Sequence, residues 1–192
     1  MNLLQGVVEK VTGRSFEDYV REYVWLPAAM INTSFDVPER IVSNRAKGYM
    51  LYKGRLINNP YGDLTYKLAS GGMISTVEDL VRFGVTLNHG GVLKPETTAM
   101  MYEPQLKNIL RYQPNGAPNR EDEFEQALLW RVRKDTRGRS FIYQCGTVKG
   151  FNACLVNYVN EDLIVAIANN MEAIGFLPAL EFAEFFRAPK TR

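Results

Sequence analysis

The first part of the chain has apolar residues at the spacing of amphipathic helices. In its opening segment they recur every three or four positions, at Leu3, Leu4, Val7, Val8 and Val11. This spacing predicts a helix that ends at Gly13. A second helix is expected between Ser15, a suitable N-cap residue, and Pro27, which cannot continue it.

Two further helices are indicated, with a segment that looks irregular before the first and another after the second. Residues 75–78 (Ser-Thr-Val-Glu) have the form of a capping box, and Asn88-His89-Gly90-Gly91 would close the helix that follows. A short helix is expected from Pro95 to about Tyr102. Residues 28–68 carry scattered turn signals and predict an irregular segment, and the polar residues 103–125 predict a surface loop.

From residue 127 the pattern changes to strands. Four are expected, at 127–133, 140–145, 151–158 and 163–168. The short connections within the first and last pairs favour antiparallel neighbours, and residues 172–187 predict a final helix. Helices, then a meander, then a helix indicate an α+β fold in which an antiparallel sheet is flanked by helices.

Composition narrows the classes of function. The 192 residues are 46% hydrophobic and carry 23 basic and 21 acidic side chains, for a net charge of +2 at pH 7. This balance gives no electrostatic reason to expect nucleic acid as a partner, and no apolar run has the length of a membrane span. No signal peptide is visible after Met1, so the compartment stays open. One histidine and two cysteines do not suggest a metal site, and no cofactor is expected.

A conventional nucleophile is not evident. None of the six serines begins S-x-x-K or sits in G-x-S-x-G. His89 is interpreted as a residue at a helix C-terminus, and Cys145 and Cys154 as buried, inert thiols. The carboxylates from Glu121 to Glu125 are interpreted as a solvated charge run in the 103–125 loop.

Residues 143–152 (Tyr-Gln-Cys-Gly-Thr-Val-Lys-Gly-Phe-Asn) join two strands and carry two glycines four positions apart. A strand edge with free N–H groups beside a cleft can form an oxyanion hole. From the glycines alone, a plain strand connection explains the segment equally well.

The chain resembles the serine β-lactamase-like superfamily of class C β-lactamases, D-alanyl-D-alanine carboxypeptidases and related esterases. Residues 144–151 resemble its third motif, a K/H-T/S-G followed by x-x-x-G-F, and residues 155–170 resemble the next hairpin. Residues 69–80 resemble its G-G-x-x-S-T-x-x-D-L stretch. Three weaker matches follow the same order along the chain, at 3–13, 26–33 and 128–130. The resemblance implies the β-lactamase/transpeptidase fold, present here in part.

The resemblance also implies a substrate site. The Thr147 N–H would be one donor of an oxyanion hole, and Gln144, Cys145, Gly146 and Lys149 would border the substrate. Gln144 stands where the family has Lys or His and carries no charge. The family's S-x-x-K serine and Y-x-N tyrosine precede the helix at which this chain begins. Tyr158-Val159-Asn160 spells Y-x-N but falls in the terminal hairpin, where we interpret it as chance.

The whole chain, 1–192, is therefore expected to be the C-terminal part of one β-lactamase-related domain. In this division 1–125 are mostly helix and loop, and 126–192 form the meander and last helix. The complete protein would be a serine hydrolase that forms an acyl-enzyme from a small ester, amide or lactam. This chain alone is expected to be inactive and to self-associate through exposed apolar faces. The alternative is a non-catalytic relative that keeps the fold for binding or assembly, and the upstream coding frame would separate the two.

Overall fold

The computed structural model describes residues 2–60, 62–112, 117–148, 150–171 and 175–187. Within these ranges lie the helices α1 (Asn2–Thr12), α2 (Phe16–Val20), α3 (Val77–Asn88), α4 (Pro95–Tyr102) and α5 (Leu177–Phe185). α2 continues as a π-helical turn over Arg21–Trp25, and 3₁₀ segments cover Thr65–Ser70 and Val159–Glu161. None of the described helices combines the length and the apolar character needed to cross a bilayer.

The strands form one large sheet and two small ones. They are β1 (Ser34–Phe35), β2 (Tyr49–Tyr52), β3 (Arg55–Asn58), β4 (Met73–Ile74), β5 (Leu106–Tyr112), β6 (Pro118–Gln126), β7 (Arg131–Lys134), β8 (Ser140–Val148), β9 (Phe151–Tyr158) and β10 (Leu163–Asn169). The large sheet has the order β10-β9-β8-β7-β6-β5, and all its neighbours are antiparallel. The α+β class and the antiparallel meander predicted from the sequence are confirmed.

The segment 28–68 is more regular than predicted. It contains β1, which pairs with β4, and the antiparallel hairpin β2–β3. The hairpin turns at Lys53 and Gly54, both with positive φ, as a tight two-residue connection requires. The hairpin is exposed on most of its surface, so it lacks the alternation of buried and exposed positions by which strands are recognised.

The expected loop 103–125 is also wrong, since these residues contribute β5 and most of β6. β5 is the edge strand of the sheet, and its first residues, Leu106, Lys107 and Asn108, are exposed. The strand predicted from Ala127 begins only at Arg131: the Ala127 N–H donates to Trp130 O (2.8 Å), and Leu129 has positive φ. The last helix begins at Leu177, and residues 172–174 of its predicted range lie outside the described residues.

The helices of the first part begin and end close to the predicted residues. Ser15 caps α2 by accepting from Asp18 N, and α4 spans the predicted range from Pro95 to Tyr102. The N-cap of α3 is Thr76, one residue later than the predicted box, because Thr76 Oγ1 accepts from Asp79 N (3.2 Å).

The two faces of the large sheet are covered by different helices, which decides where each side chain of β8 points. Phe141 and Tyr143 of β8 pack with Ala179 and Ala183 of α5. Ile142, on the opposite face, packs in the cluster that contains Leu87 of α3. Alternation along the strand therefore directs the side chains of odd-numbered β8 residues toward α5, and those of even-numbered residues toward the α3 side.

Candidate active site

The C-terminal half of β8 is paired on one side only. β7 pairs with β8 from Ser140 to Tyr143 and no further, whereas β9 pairs along β8 as far as Val148. Among the described strands, β8 is thus an interior strand in its first half and a free edge from Gln144 onward. The predicted carbonyl-polarising segment, residues 144–147, occupies that free edge.

The register of the β8–β9 ladder determines which amides face outward. The Cα atoms of Cys145 and Cys154 lie 4.1 Å apart, the close spacing of a non-hydrogen-bonded pair. Hydrogen-bonded and non-hydrogen-bonded pairs alternate, so Thr147 and Asn152 also form a non-hydrogen-bonded pair. The backbone N–H and C=O of Thr147 therefore point away from β9, toward the free edge.

The side chains along this edge leave space beside the backbone. Gln144, Gly146 and Thr147 are exposed, and no atom lies within 4 Å of the position that a Cβ on Gly146 would occupy. Behind the edge, Asn152 Nδ2 donates to Gly146 O (3.0 Å) and Thr147 Oγ1 (2.9 Å). Lys149, the remaining predicted substrate contact, lies outside the described residues.

The interpretation of Cys145 and Cys154 as free thiols is wrong, because they form a disulfide between β8 and β9. They occupy directly opposite positions in the ladder. The sequence contained the signal: Cys145 stands three residues before Val148, and Cys154 stands three residues after Phe151, across a two-residue connection. The disulfide fastens β9 to the strand that carries the candidate site, immediately beside Gly146.

One element from the first part of the chain borders this edge, and a second is attached on the far side of β9, after the end of β10. The 65–72 segment reaches the end of β8, where Val148 Cγ1 lies 3.2 Å from the position of a Cβ on Gly71. Gly71 has φ +150°, a conformation that favours glycine. The base of the β2–β3 hairpin is attached to the residues after β10: Tyr49 N donates to Asn170 O (2.9 Å), and Asn170 Nδ2 to Lys47 O (3.0 Å).

The other residues considered from the sequence lie away from this edge. His89 follows α3 as predicted, and its Nε2 lies 3.0 Å from Asp162 Oδ2 on the surface. Tyr158 is at the opposite end of β9, and burial raises the pKa of its hydroxyl, which donates to Asp135 Oδ2 (3.2 Å). The carboxylates 121–125 are on β6 rather than in a loop. The described residues contain no cluster of three or more His, Cys, Asp or Glu suited to a metal ion.

A surface depression of about 470 Å³ lies elsewhere, along α2, its π-helical turn and the connection that precedes it. Its lining includes Arg14 and Glu22, whose side chains form an ion pair of 2.6 Å. It shares no residue with β8. The strand edge, with its outward-facing backbone groups, is the better candidate site.

Comparison with known proteins identifies the family of the chain. Residues 1–176 match the profile of the Beta-lactamase family, which is most of the chain. The chain belongs to the beta-lactamase family. The predicted resemblance to β-lactamase-related, penicillin-binding-protein-like hydrolases is thereby confirmed.

Family members of known sequence and structure match nearly all of this chain but only part of their own length. The human serine beta-lactamase-like protein LACTB, mitochondrial, is 31% identical over 90% of this chain and 37% of its own. The octameric penicillin-binding protein homologue from Pyrococcus abyssi superimposes with a TM-score of 0.75 at 21% identity, covering 94% of this chain and 40% of its own. A D-stereospecific amidohydrolase from Streptomyces sp. gives a TM-score of 0.75 at 20% identity, covering 96% and 52%. The chain thus spans less than two fifths of the length of its curated human relative.

Proposed function

We propose that this chain is the part of a serine hydrolase that supplies the substrate-binding edge. The complete enzyme acts on an ester, amide or lactam through an acyl-enzyme. The Thr147 N–H donates to the carbonyl oxygen of the substrate, where negative charge develops during attack. The observation that carries the proposal is the outward direction of the Thr147 amide on the unpaired half of β8.

The substrate lies along the edge in this proposal. The Cβ positions of Gln144 and Gly146 lie on the α3 side of the sheet. An extended ligand beside β8 would contact these two residues from that side. Gln144 can donate and accept hydrogen bonds but offers no charge to a carboxylate. Cys145 holds the strand from behind through its disulfide, so its part at the site is to position the backbone.

Removing the proposed donor tests this role. Thr147→Pro deletes the N–H, whereas Thr147→Ala keeps it and loses the same contact with Asn152 Nδ2. The N–H does not donate to β9, so the ladder keeps its hydrogen bonds in both variants. We expect Thr147→Pro to weaken binding of N-butyryl-alanine amide by about fivefold, the effect of one hydrogen bond. The measurement is ligand-observed saturation-transfer NMR.

Thr147→Ala should bind that amide as the unaltered chain does. Equal affinity of the unaltered chain, Thr147→Ala and Thr147→Pro would contradict the proposed role of the amide. Circular dichroism of the three proteins checks that the sheet is the same in each.

The chain alone is proposed to be inactive, because its sequence contains no S-x-x-K serine. We expect no covalent adduct after incubation with a fluorophosphonate or a penicillin-type label, measured by intact mass. A stoichiometric mass increase would show that another nucleophile in the chain is acylated.

A second candidate function is binding or assembly without catalysis. Gln144 favours it, since the family's third motif begins with a residue that can carry a charge. The Pyrococcus abyssi homologue is described as octameric, which supports a tendency of this fold to assemble. A catalytic protein requires the Thr147 amide for carbonyl binding, whereas an assembly module does not.

A further inference from the structure

Lys67 brings a positive charge to the end of the free edge of β8. The 3₁₀ segment Thr65–Ser70 is kinked at Lys67, where φ is −142° and ψ is 40°. Lys67 Nζ lies 3.7 Å from the position that a Cβ on Gly71 would occupy, and Val148 Cγ1 lies 3.2 Å from that same position. The ammonium group and the last residue of β8 thus converge on the space left by Gly71.

The charge of Lys67 is not used within the described part of the chain. No carboxylate there lies within ion-pair distance of its Nζ, which lies 5.9 Å from the centroid of the Tyr66 ring. The side chain is only half-exposed. An unpaired ammonium in a partly covered position is a suitable partner for an anionic ligand.

The backbone around Lys67 is held in place. Its N–H donates to Leu64 O (3.0 Å), its carbonyl accepts from Ser70 Oγ (3.4 Å), and Gly72 N donates to Leu68 O (3.2 Å). Because the segment is fixed, a ligand would not have to order the backbone that presents this charge.

We propose that Lys67 binds an anionic group, a carboxylate in the simplest case, that the substrate carries on the Val148 side of its reacting carbonyl. This inference rests on the proposed function, since the carbonyl is positioned by Thr147. Val148 and Gln144 have side chains on the same face of β8, about 13 Å apart at the rise of an extended strand. The positive charge absent at residue 144 is therefore supplied from the other end of the edge. Lys67 acts here as a specificity-determining residue.

The test compares two ligands that differ in one charged group. N-succinyl-alanine amide and N-butyryl-alanine amide share the acyl chain, and only the first carries a carboxylate at its end. We expect this chain to bind the succinyl ligand about fivefold more tightly, as a partly exposed ion pair allows, with the preference falling as salt is added. Affinities are measured by ligand-observed saturation-transfer NMR.

Three variants make the test specific. Lys67→Met should abolish the preference for the succinyl ligand and leave binding of the butyryl ligand unchanged, whereas Lys67→Arg should retain the preference. Lys53→Met, on the tip of the β2–β3 hairpin, is the matched control and should bind both ligands as the unaltered chain does.

The possible failures are distinguishable. Equal binding of the two ligands by the unaltered chain, or an undiminished preference in Lys67→Met, overturns the role of Lys67 and leaves that of Thr147 intact. Equal loss of both ligands in Lys67→Met also overturns the charge recognition, because it indicates a structural role. If Thr147→Pro binds both ligands as tightly as the unaltered chain, the proposed function itself fails.

Discussion

At the scale of single residues, the buried Asp79 shows how the family's S-T-x-x-D-L pattern acts in the fold. Its side chain is fully buried, and Oδ2 accepts from Asn32 N (2.7 Å) and Thr33 Oγ1 (2.8 Å). Oδ1 accepts from Arg82 Nη1 (2.8 Å). One carboxylate thus joins the start of α3 to the loop before β1, and its role is structural.

Replacing this carboxylate should destabilise the chain strongly. Asp79→Asn keeps the shape of the side chain but replaces one carboxylate oxygen with an NH₂ group. That NH₂ would face N–H or O–H groups that now donate to Asp79, and those donors would lose their acceptor. We expect the free energy of unfolding to fall by about 3 kcal/mol, measured by urea denaturation.

Asp162→Asn is the control, since Asp162 is exposed and its carboxylate pairs on the surface with His89. It should change stability by less than about 0.5 kcal/mol. Similar losses in the two variants would show that Asp79 is not the structural centre described here.

At the scale of elements, the sequence was informative where burial imposes a period. α3, α4 and the strands β8 to β10 bury one or both faces, and each was predicted within a few residues of its place. β2–β3 could not be predicted in this way, because its side chains lie mostly on the surface, and neither could the pair β5–β6, of which β5 is the edge strand of the sheet. Pairing with a neighbouring strand, rather than burial of a face, makes them strands.

The candidate site was only partly predictable for a related reason. The motif indicated residues 144–147. Whether they form an edge depends on how far the pairing with β7 extends along β8, and the last pair is Arg131 with Tyr143. Lys67 belongs to no motif, and its place beside Gly71, next to the end of β8, follows from the packing of the 3₁₀ segment rather than from a local sequence pattern. The disulfide was predictable in principle, since it required only the register of one hairpin.

At the scale of the whole molecule, large apolar side chains remain uncovered on two helices. On α1, Leu3 is 83% exposed and Val11 79% exposed, and no residue of this helix is buried. On α5, Phe182 and Phe185 are exposed although the opposite face of the helix packs on the sheet. Such faces favour association, because burial of apolar surface is the main driving force for it.

We therefore expect this chain to form oligomers or larger aggregates at micromolar concentration, measured by size-exclusion chromatography with light scattering. Replacing Phe182 and Phe185 with Glu should lower the mass if copies meet through α5. The matched change of Leu3 and Val11 to Glu tests α1 in the same way. A monodisperse monomer that melts cooperatively would contradict the expectation.

The cross-strand disulfide has a consequence for how this family of sites can vary. The disulfide holds Cys145 and Cys154 directly opposite each other and so fixes the register of β8 against β9. The two-residue connection from Val148 to Phe151 is compatible with that same register. Inserting a single residue into β9 between Phe151 and Cys154 would require either that the disulfide break or that the strand bulge, because the two cysteines would otherwise no longer be opposite each other. The number of residues between the disulfide and the turn therefore decides which amides of β8 face the free edge, whatever side chain stands at residue 147.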